Sequence, residues 1–174
     1  MDASRPWRWA DHLDFVYAEH FIEHLPVEQA AQFLAHAGGA LRIGGRLRLS
    51  TPALEWVMKS HFSFTPVDLQ ARLLDTFHVN RAFHGWGHQF LYSKEMLREL
   101  LIQVGFEQAV FHAYGESSVP ELRGMEQHPS GPGAEGYPEV WIAEAVRGER
   151  RPSVSVWLAA WLRDTYTKWS HAQH

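Results

Sequence analysis

Apolar and polar positions divide the chain into segments with distinct periods. Leu13, Phe15, Val16 and Tyr17 make a short apolar run within Leu13 to Ala18. A run apolar on both faces predicts a strand buried between helices. Pro26 pre-sets a first helical turn, and Val27, Ala30, Ala31, Phe33, Leu34, Ala37 and Leu41 then recur at helical spacing until Gly44 and Gly45 stop them. In the next segment, Arg46 to Thr51, Leu47 and Leu49 alternate with Arg46 and Arg48, which predicts a strand ending at Pro52. Strand, helix and strand in that order require parallel pairing with a right-handed crossover.

Further along, Leu54 to Asn80 predicts two short helices around Pro66, the second marked by Leu69, Leu73, Leu74 and Phe77. An aromatic, His-rich loop follows over His78 to Tyr92. Ser93 reads as the N-cap of a helix from Lys94 to Val104, with Met96, Leu97, Leu100 and Leu101 on one face and Gly105 closing it. Phe106 to Ala113 and Val140 to Val146 read as strands. The loop between them, Tyr114 to Glu139, is long enough that a role in function or motion is expected. From Arg150 on, Val154, Trp157, Leu158, Trp161, Leu162, Tyr166 and Trp169 share one broad face of an amphipathic helix. Packing on its own domain is the simpler reading of that helix, and a partner or a membrane surface the sharper one. The chain thus divides at residues 1–148 and 149–174.

Composition narrows the function classes. The 174 residues are 45% hydrophobic and 21% charged, which suits one globular domain with a real core. A net charge of -4 gives no general attraction for nucleic acid. With no cysteine, disulfides, thiolate zinc sites and thiol nucleophiles are excluded. No apolar run approaches membrane-spanning length and the start carries no signal core, so a cytoplasmic location and no stable membrane insertion are expected. Twelve His and eight Trp leave ample candidate chemistry.

Taken together, LDFVYAEHFIEHL, FLAHAGGALRIGGRLRLSTP, GHQFLYSKEMLRELLIQVGFE and VWIAEAVR resemble the C-terminal part of a class I S-adenosylmethionine (SAM)-dependent methyltransferase, of the group called methyltransferase type 11. The resemblance covers about Asp2 to Arg147. It implies an α/β, Rossmann-like sheet truncated at the N-terminus, holding the equivalents of the fourth to seventh strands, the last two as an antiparallel pair. It implies SAM as cofactor and an unidentified methyl acceptor, most simply a small molecule. Asp2 and Ala3 match the family's adenine-contacting pair, and Ala18, Glu19 and His20 match the loop beneath the methionine part. The Gly-rich first loop and the ribose-binding carboxylate have no counterpart from Met1 onward. Three origins are expected for that gap: a start assigned too late, a truncated gene, or a half-domain that works with another chain.

Methyl transfer needs a general base only for an acceptor that must lose a proton. His20, His24, His88 and Glu116 are the candidates, all in or near loops at one end of the sheet. Two rivals stand beside this reading. His20 to His24 also spells H-x-x-E-H, a zinc-hydrolase signature that needs one helix through both His; Pro26 leaves little room for it, and no metal is expected. Another metal cluster, from His78, His84 and His88, fits no tight spacing. The second rival is a catalytically inactive fragment or interaction module that self-associates, as a homodimer, through the unpaired edge of the fourth strand. Residues Asp2 to Ala10 or the Trp-rich tail are the other covers for that edge.

Overall fold

Two periods written into the sequence, about 3.6 and 2, become the layers of the molecule. In the computed structural model, which describes residues 7–8, 10–65, 67–131, 133–134 and 136–169, four strands form one sheet. They are β1 (Leu13–Glu19), β2 (Leu41–Pro52), β3 (Phe106–His112) and β4 (Val140–Arg147), in the order β1-β2-β4-β3. β1 and β2 are parallel, and β4 lies antiparallel to both β2 and β3. That is the order and direction expected of the fourth, fifth, seventh and sixth strands of a Rossmann-like methyltransferase sheet. The helices are α1 (Val27–Ala40), α2 (Leu54–His61), α3 (Leu69–Asn80), α4 (Lys94–Val104) and α5 (Val156–Trp169). Single 3-10 turns occupy Ile22–His24 and Pro120–Leu122, and a π-helical turn occupies Arg81–Gly85.

One sheet face forms the core. Val16, Leu47, Leu49, Ala143 and Ala145 meet Ala30, Leu34 and Ala37 of α1 and Leu97, Leu100 and Leu101 of α4, all buried in one cluster. Each large side chain contributes about 1.5–3 kcal/mol by leaving water. Both ends of α4 follow the sequence: the Ser93 hydroxyl accepts the Met96 amide at 3.1 Å, and Gly105 takes φ 118° after the last turn. Leu158 and Leu162 bring α5 into the same core, while Trp157 and Tyr166 are exposed, so the buried stripe is narrower than the apolar face in the sequence.

Three features differ from the sequence expectation. First, α1 ends at Ala40 and β2 begins at Leu41, because Leu41 is captured into the sheet opposite Leu13; Gly44 and Gly45 lie inside the strand, at an irregular stretch of the β1–β2 pairing. Gly38, within the helix, is required by packing, since a Cβ there would meet Pro152 Cγ at 2.5 Å. Second, β1 is not buried on both faces: Asp14 and Phe15 are exposed, and the face away from the helices carries a buried charge. On it Arg48 stands between Tyr17 and Glu144 in register, covered by the loop of residues 113–139. Third, α3 buries no residue, and Leu69, Leu73, Leu74 and Phe77 are all exposed. Among the described residues, no helix is long and apolar enough to cross a membrane.

Candidate functional site

Parallel strands direct their carboxyl ends to one side of a sheet, and β1 and β2 both end beside a cavity of about 470 Å³. Five imidazoles line it, from His20, His24, His61, His88 and His128, together with Trp56, Trp86 and Glu139.

His20 is the pivot. It leaves β1 at φ 45°, a left-handed conformation uncommon outside glycine, and its amide donates to the Ser50 carbonyl on β2 at 2.9 Å. Its Nδ1 lies 3.1 Å from Glu23 Oε1, and the other carboxylate oxygen of Glu23 accepts from Thr51 Oγ1 at 3.0 Å. Glu23 is fully buried, so one carboxylate ties the end of β1 to the end of β2. The hydrogen bond to Glu23 raises the His20 imidazole above its ordinary value, against the opposing effect of burial. For His88 and His61 burial dominates and lowers the imidazole.

The Glu23 carbonyl also anchors the aromatic loop, accepting the amides of Gln89 and Phe90 at 2.7 and 3.1 Å. This brings His88 against His24, ring centroids 5.0 Å apart. His24 Nδ1 lies 3.3 Å from the Gly87 carbonyl and His88 Nδ1 lies 2.7 Å from the Ala82 carbonyl. The zinc-hydrolase geometry is absent: a left-handed His20 and a single 3-10 turn stand where a continuous helix is needed, and His20 and His24 fall in separate clusters of possible ligands. His78 and His84 belong to neither of the two clusters found among the described residues.

The remaining sequence candidates are dispersed. Glu19 accepts the amides of Gln127 and His128 at 2.9 to 3.0 Å, pinning the long loop to the end of β1. Burial raises its carboxyl, but those amides outweigh it and hold the group below its ordinary value. Ala18 lines an open groove along β1 with Trp7, Tyr17 and Phe21. Glu116 is exposed and is not among the residues lining the cavity; its carbonyl accepts from Arg48 Nη1 at 3.0 Å. Asp2 and Ala3 lie outside the described residues. Sequence reasoning missed His61, His128 and Trp56, which reach the cavity only through the packing of α2 and the long loop. It also gave Glu23 no more than a turn-fixing role. A Glu directly after the apolar pair Phe21-Ile22 beyond the strand end, followed by His, was the available signal.

No family model matches the sequence, and no curated protein does. Solved structures do match in fold. A SAM-dependent methyltransferase of Thermotoga maritima, described as a possible histamine N-methyltransferase, superposes with a TM-score of 0.51 at 19% identity over 83% of this chain. The SAM-dependent methyltransferase SibL, in its apo form, gives 0.51 at 17% over 86%, and a possible exported protein of Bordetella parapertussis gives 0.50 at 17% over 85%. The chain spans 60%, 35% and 43% of those three chains respectively, less than two thirds of each. At such identities the likeness is one of fold: this chain has a class I methyltransferase-like fold over the C-terminal strands of that sheet.

Proposed function

We propose that the chain carries the acceptor side of a SAM-dependent methyltransferase, with a small-molecule acceptor held in the five-histidine cavity. The observation that carries this reading is position: the cavity lies at the carboxyl ends of two parallel strands in a methyltransferase-like sheet, where open α/β sheets bind their ligands. Its volume suits a small acceptor. The methionine part of SAM would rest against Ala18, Glu19 and His20. The adenosine would extend past β1, where groups from further chain or a second copy would complete its site.

When bound, SAM would supply a sulfonium methyl group for transfer to an acceptor nitrogen or oxygen, with Ala18, Glu19 and His20 holding its methionine part. The acceptor proton passes to a base. His20 is suited to that role, because Glu23 holds its Nδ1 and leaves Nε2 as the reactive nitrogen, the orienting arrangement that serves general-base histidines. Calorimetric titration with S-adenosylhomocysteine tests the reading. Saturable binding is expected, and His20→Ala should weaken it by more than its cost in stability accounts for. Leu100→Ala, a deletion in the buried core, should cost about 2–5 kcal/mol of stability and leave affinity unchanged. Equal losses of affinity in both variants would defeat the placement. A folded chain that binds no S-adenosylhomocysteine would favour a second reading, an interaction module. The observation behind that reading is the outer edge of β1, which pairs with no strand among the described residues.

A further inference from the structure

We propose that Glu23, His24 and His88 form a binding site for a zinc-type divalent cation in the wall of the cavity. Each of the three offers one ligand atom, and those atoms lie within 4.8 Å of one another, so side-chain rotations of about an ångström would bring them to zinc-ligand distances. Three independent features prepare them for it.

The first is the state of the imidazoles. His24 Nδ1 faces the Gly87 carbonyl and His88 Nδ1 faces the Ala82 carbonyl, at 3.3 and 2.7 Å. A carbonyl only accepts, so each Nδ1 carries the proton and each Nε2 keeps its lone pair. A ring N–H held by a backbone carbonyl is the outer-shell contact that fixes the tautomer and orientation of metal-bound histidines. The second is the carboxylate. Glu23 is fully buried; His20 meets one of its oxygens and Thr51 the other, each oxygen keeps a further lone pair, and the ion-pair partner among the described residues is an imidazole rather than a Lys or Arg. A buried carboxylate calls for compensating charge, and a cation supplies it. The third is enforced proximity. The residue 87–90 segment is held on Glu23 by two amides donated to its carbonyl, and Gln89 Nε2 donates to the His24 carbonyl at 2.8 Å.

Two nitrogens and one oxygen, beside a cavity that leaves room for water or a ligand oxygen, match an open three-ligand zinc site and disfavour Mg²⁺ and Ca²⁺. The neighbouring cluster of Glu19, His20 and His128 is a poorer host. Glu19 already accepts the backbone amides of Gln127 and His128, and the His128 side chain is 64% exposed. The site rests on these residues alone and is independent of methyl transfer.

The test is titration of the full chain with Co²⁺, followed by its visible ligand-field bands, with Zn²⁺ and Mg²⁺ as competitors. One equivalent is expected to bind and to be displaced by Zn²⁺ but not by Mg²⁺. His24→Ala and His88→Ala should each weaken binding by more than about tenfold, the range in which even outer-shell partners of metals act. His128→Ala should leave it unchanged. Far-UV circular dichroism of every variant keeps loss of fold apart from loss of a ligand. The proposal is overturned if the folded chain binds no stoichiometric Co²⁺, if Mg²⁺ displaces it, or if binding survives His88→Ala and disappears with His128→Ala.

Discussion

Arg48 shows how much one buried charge can organise. Its side chain has no exposed surface; Nε donates to Glu126 at 2.7 Å and Nη1 to Glu144 at 2.5 Å. Burial works against the guanidinium charge, and the two carboxylates more than restore it. Removing the cation would leave Glu126 buried without its partner and Glu144 with only His112 at 3.3 Å, a loss of about 3–5 kcal/mol. Arg48→Met is therefore expected to lower the unfolding free energy by that amount in urea titration, with Glu144→Gln added to it recovering part of the loss. The alternation of Leu47 and Leu49 with Arg46 and Arg48 made the strand legible in the sequence. It did not reveal that the polar side would be roofed, because Glu126 arrives from a loop whose course no local pattern sets.

At the level of elements, the long loop is the part that the sequence could delimit but not place. Its boundaries were plain from the strands on either side, and its anchoring depends on Glu19, Arg48 and Tyr114, none of which carries a motif. The Glu19 anchor gives it an acid limit. Because the folded carboxyl lies below its ordinary value of 4.5, the ionised form contributes stability that is fully present above that pH and is lost as pH falls through the lowered value. Melting temperature followed by circular dichroism should thus fall on acidification in the wild type, and Glu19→Gln should be less stable near neutrality while losing part of that slope. An unchanged slope in the variant would assign acid sensitivity to other groups. The helices tell the complementary story. Ser93 and Gly105 mark α4 by local chemistry alone, whereas the end of α1 was misread because strand pairing at Leu41 is a tertiary event.

For the whole molecule, the sheet's composition was readable and its surroundings were not. Strand order followed from the resemblance; what lies beyond β1 did not. Trp7 packs edge-on against Phe33 at 5.8 Å and borders the groove there, yet no strand among the described residues pairs with the outer edge of β1. If a second copy covers that edge, the solution mass will be twice that of the chain and the outward amides of β1 will be protected from hydrogen exchange. A monomer with freely exchanging β1 amides would remove the self-association reading. The candidate site shows the same division: the His20 to His24 segment was visible as a string, while the partners that give it chemistry come from four separate parts of the chain.

The bare apolar row of α3 has a practical corollary. Leu73 and Leu74 are about half exposed, and Leu69 and Phe77 more than 70% exposed, on a helix that buries nothing. Environment-sensitive dyes fluoresce on such patches whether or not a protein has lost its packing. The native chain should therefore be bright with them from the outset, and a dye-based melt would record the shedding of this surface ligand rather than the collapse of the core.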